Sequence, residues 1–88
     1  VMTKEQIGDF VDEGALTLDG FDSAIYGIAV KPCQNTVVAY DFDLLVKQCE
    51  EDGMSYDEAI EYIDYNITGA YMGNGTPIII RKIDESNL

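Results

Sequence analysis

The chain has 88 residues, with 17 Asp plus Glu against 5 Lys plus Arg and no His, a formal net charge of −12. That length allows a single domain over residues 1–88, with a thin core that hides only about 60–65% of the unfolded surface. Clustered cations for nucleic-acid or anionic-membrane binding are missing, because Lys4, Lys31, Lys47, Arg81 and Lys82 are scattered among carboxylates. Direct nucleic-acid binding and membrane association are therefore not expected.

The first element reads as a helix from a Thr3/Gln6 capping box to Gly14, with Met2 and Ile7 as its staple and Ile7, Phe10 and Val11 as its stripe. No apolar leader follows Lys4 and Glu5, so a cytoplasmic location is expected. Residues 23–31 read as a strand with Tyr26, Ile28 and Val30 on one side. Ile25, Gly27 and Ala29 take the other, where their small size predicts a close neighbour. Residues 32–35 then form a hairpin loop, and 36–40 (TVVAY) a second, antiparallel strand.

Asp41 caps a helix to about residue 51 that buries Phe42, Leu45, Val46 and Cys49 and stops at Gly53. Ser55 and Glu58 form a capping box for the next helix, whose stripe is Tyr56, Ala59, Ile60, Ile63, Ile67 and Ala70. Gly73-Asn74-Gly75 reads as a turn, and residues 76–83 as the last strand. The fold class is α+β in the order α-β-β-α-α-β. An N-terminal helix precedes a three-stranded sheet with a helical hairpin packed on one face. The last strand is expected antiparallel to the second, with strand orders 2-1-3 and 1-2-3 both open.

Few residues suggest chemistry. No His-assisted catalytic set can be built, Cys33 and Cys49 form no CxxC pair, and no cofactor or enzymatic role is expected. Asp41 and Asp43, joined by Asp19 and Asp22 and by Asp9 or Asp12, could offer oxygens to Mg²⁺ or Ca²⁺. Against this, Asp41 also suits a helix cap and Asp43 the helix dipole. Six Tyr is a high count, and Tyr62 and Tyr65 stand among Glu61, Asp64 and Asn66 in an interface-like composition. Together with Ile79 they are the candidate interface residues, for a protein partner or for a homodimer. The acidic runs at 50–52 and 57–64 fit solubility, a basic partner, or mimicry of DNA phosphates that inhibits a nucleic-acid-binding protein.

Residues 18–28 (LDGFDSAIYGI), 40–43 (YDFD), 52–59 (DGMSYDEA), 61–71 (EYIDYNITGAY) and 75–78 (GTPI) carry a resemblance. Over residues 16–80 the chain resembles a small family of uncharacterised phage and bacterial proteins, marine phages among them. The resemblance implies a phage-like provenance, with the cytoplasm of a host cell as the place of action. It implies no catalytic residue. It draws attention to Asn66, Gly69 and Ala70, a small surface expected to receive the Gly27 side of the first strand. The competing expectation is that Asp19, Asp22, Asp41 and Asn66 converge on a polar site. Protein–protein interaction is the function expected first, carboxylate-based binding of a metal or small ligand second, and DNA mimicry third.

Overall fold

The computed structural model describes residues 3–30, 32, 35–69 and 73–83. It is an α+β fold of three α-helices and a three-stranded mixed sheet, with α1 at Lys4–Ile7, β1 at Ile25–Ala29 and β2 at Val37–Asp41. After these come α2 at Phe42–Glu51, α3 at Tyr56–Ile63, a π-helical turn at Asp64–Thr68 and β3 at Ile78–Ile80.

The strand order is β1-β2-β3. The middle strand is buried along its whole length, which fits its β-branched and aromatic sequence. β1 pairs with it antiparallel, with an irregularity between Ile25 and Gly27. β3 pairs with it parallel, Ala39 beside Ile78 and Asp41 beside Ile80. This reverses the expected sense of the last strand. A parallel neighbour needs a crossover that returns the chain to the starting end of β2. The reversal arises between α3 and β3, where the π-helical turn at Asp64–Thr68 prolongs the second helical segment. The Leu16 N–H donates to the Gly75 carbonyl at 2.9 Å, pinning the end of that path to the N-terminal loop.

The core is built where the α2–α3 hairpin lies against β2. Val38 and Tyr40 from the strand meet Phe42, Leu45, Val46 and Cys49 of α2 and Ala59, Ile63 and Ile67 of the second helical segment. Each fully buried Leu or Ile contributes roughly 1.5–3 kcal/mol. Both helix starts are set locally. Asp41 Oδ1 accepts from the N–H groups of Asp43 at 2.9 Å and Leu44 at 3.3 Å. Glu58 N–H donates to Ser55 Oγ at 3.2 Å, and Ser55 N–H donates to Glu58 Oε1 at 3.0 Å. Gly53, at φ +104°, ends α2.

Other expectations need correction. The first helix stops at Ile7, with one 3₁₀ turn through Phe10, and does not reach Gly14. Asp12 is claimed by a distant segment: its N–H donates to Thr36 O at 3.0 Å, and its carboxylate accepts from Thr36 N–H at 2.7 Å. Tyr56, expected inside, is 61% exposed. It stands at the first helical position, one turn ahead of the buried Ala59. Among the described residues no atom lies within 4 Å of where a Gly27 Cβ would stand, so neither Asn66 nor Gly69 is the expected close neighbour. Met2, Lys31, Cys33, Gln34, Ala70 and the terminal residues 84–88 lie outside the described residues.

Candidate functional site

Asp19 and Asp22 both meet Lys4, whereas Asp41 and Asp43 stand at the start of α2. Asp19 forms an ion pair with Lys4, and their hydrogen bond lowers the Asp19 pKa and raises that of Lys4. Asp22 Oδ2 accepts from the Lys4 N–H at 3.3 Å, while its Oδ1 is buried without a hydrogen-bond partner. Asp41 is 3% exposed, spends one oxygen on the α2 cap, and directs the other at Lys82 Nζ, 3.3 Å away. Asp43 stands exposed in the first turn of α2. Among the described residues no group of three or more carboxylates or cysteines is placed to hold a metal ion. Asn66 joins none of these residues, since its Nδ2 donates to the Tyr62 carbonyl at 3.0 Å.

Cys49 is a free buried thiol, and burial pushes its pKa up, away from reactivity. Tyr40 is fully buried, with its hydroxyl accepting from the Leu18 N–H at 2.8 Å, and burial likewise raises its pKa. Both are packing groups rather than chemical ones. Among the described residues no helix is long and apolar enough to cross a membrane.

The surface of α3 and its π-helical turn is different. Tyr62 and Tyr65 are 38% and 85% exposed. With Met54, Glu58, Glu61 and Asn66 they line an open groove of about 400 Å³. Positions 58, 61, 62, 65 and 66 repeat at three- and four-residue steps, which places them on one helix face. The opposite face holds Ala59, Ile63 and Ile67 in the core. The helix is therefore anchored from behind, and the tyrosines are presented outward. The π turn begins inside this stretch, with Gly69 N–H donating to Asp64 O at 2.9 Å. Such turns are rare and cluster at functional sites.

Tyr62 and Tyr65, singled out by composition, are thus brought together. Ile79 lies elsewhere: it is half-buried on β3 beside Tyr40 and packs against the core, so it does not belong to this face. Which side of β3 faces inward depends on its register with β2, and residues 76–83 do not disclose that. Met54 and Glu58 were not foreseen as lining residues. The spacing of Glu58 to Tyr62 and Tyr65 was the available signal for one. Met54 has none, because it enters from the α2–α3 connection.

The segment that carries the groove is one-sided in charge. From position 48 to position 80 there are seven carboxylates (Glu50, Glu51, Asp52, Asp57, Glu58, Glu61 and Asp64) and no Lys or Arg. The Ser55 N–H bond lowers the Glu58 pKa. Set against protein-family models, curated proteins and solved structures, the chain finds no match in any of the three comparisons.

Proposed function

We propose that this chain acts by binding another protein, and that the tyrosine face of α3 is its contact surface. The observation that carries this reading is Tyr65, 85% exposed beside Tyr62 over a groove on a helix whose other face is locked into the core. Tyrosine offers large contact area at a low entropic cost and is enriched among the residues that dominate binding energy. A second copy is a poor occupant for this face. Two identical chains of charge −12 would set the same carboxylates against each other. The partner is therefore a different protein.

The test is capture from a host lysate with the immobilised chain and with its Tyr62→Ala/Tyr65→Ala variant, after thermal melts establish that both are folded. A partner held by the parent and released by the variant supports the reading. A partner held equally by both places the contact elsewhere and contradicts it.

A further inference from the structure

We infer that the α3 groove seats an arginine side chain from a basic segment of the partner, an inference that rests on the docking reading above. Carboxylates alone would make only a solvated acidic surface. Here they flank two exposed aromatic rings in one concavity. Tyr62 and Tyr65 both line it, and an aromatic ring attracts a cation laid over its face. Glu58 stands one helical turn before Tyr62 and Glu61 one turn before Tyr65, and both line the groove.

The hydrogen-bonding capacity points the same way. Glu58 and Glu61 are acceptors only, and the Asn66 amide gives one of its two N–H groups to the Tyr62 carbonyl, keeping its Oδ1 as an acceptor. Acceptors prevail in the polar lining, where the tyrosine hydroxyls and the second Asn66 N–H are the donors. A ligand that satisfies it must bring donors and positive charge, with a flat face for the rings. Guanidinium meets all three demands, with five N–H donors in a plane and weak hydration. An ammonium is more strongly hydrated and has no plane to stack, which favours arginine over lysine at an open site. The absence of any cation from position 48 to 80 extends the attraction along a segment rather than to one residue.

The experiment is an amide chemical-shift titration of the full chain at low salt with a short Gly/Ser peptide carrying two arginines. The same peptide is made with lysines and with glutamines. The arginine peptide should give saturable shifts confined to residues 54–66, weaken several-fold with lysine and vanish with glutamine. Tyr65→Ala should abolish the shifts, and Glu61→Gln should weaken them. Shifts spread over residues 9–13 and 50–52 and indifferent to Tyr65→Ala would show diffuse charge attraction and overturn the inference. So would equal binding of the glutamine peptide, or no groove shifts at all. In those cases a captured partner still lost in the Tyr62→Ala/Tyr65→Ala variant leaves the docking surface standing and removes only its arginine occupant.

Discussion

Lys82 Nζ lies 3.3 Å from Asp41 Oδ2, joining the residue that ends β2 and caps α2 to the segment that follows β3. The neighbouring Arg81 guanidinium sits 4.1 Å over the Phe42 ring. Both contacts follow from the parallel pairing of Asp41 with Ile80, which delivers the chain after β3 to the start of α2. The carboxylate that sequence reading offered to a metal is thus a structural joint.

That joint has two separable parts. Asp41→Ala removes both the cap and the ion pair and should cost about 2 kcal/mol. Asp41→Asn retains a capping oxygen and loses only the pair. Since the Lys82 side chain is 64% exposed, the pair is worth about 1 kcal/mol or less. Urea unfolding of both variants checks this. Equal losses would show that capping is not what Asp41 supplies.

Two glycines should respond in opposite ways. A Cβ on Gly75 would stand 2.1 Å from the Gly14 carbonyl oxygen and 3.2 Å from Ala15 Cα, both backbone atoms. Gly75→Ala should therefore cost about 1–3 kcal/mol, because two chain segments must separate. Gly27→Ala meets open space and should change stability by no more than about 0.5 kcal/mol. Thermal denaturation of the two variants side by side is the measurement.

Acid should weaken the start of α3. The folded-state pKa of Glu58 is lowered by its Ser55 hydrogen bonds, so below the ordinary Glu range the unfolded chain takes up this proton first. The stabilisation is present above the unfolded pKa and is lost as pH falls through the folded one. Glu58→Gln preserves the capping box without a titrating group. Its melting temperature should fall less steeply than that of the parent between about pH 5 and pH 3. Parallel slopes would count against the assignment.

Cys49 should be silent toward thiol reagents in the native state. It is 1% exposed, and burial raises its pKa. In a Cys33→Ser background at mildly alkaline pH, labelling should proceed only as fast as the fold opens, and urea should accelerate it. Immediate labelling without denaturant would show that the α2 side of the core is open.

What the sequence disclosed was mostly local. The boxes at Thr3/Gln6 and Ser55/Glu58 and the Asp41 cap are side chain–backbone bonds between near neighbours, so residue type and spacing suffice to find them. The β-branched residues at 36–40 marked the middle strand, but nothing local stated that it is central. The sense of β3 depended on residues 64–77, which show no clear period. The early end of α1 depended on Asp12 meeting Thr36 across the fold. The site was half legible. Tyr62 and Tyr65 stood out by composition, whereas Met54 joins them only through the tertiary path.

Hydrogen exchange of the chain with its captured partner tests the proposed docking on the α3 tyrosine face. Amide exchange should slow over residues 54–69 in the complex, with β1 unchanged. Protection confined to β1 or the N-terminal loop, with residues 54–69 exchanging as in the free chain, would contradict it.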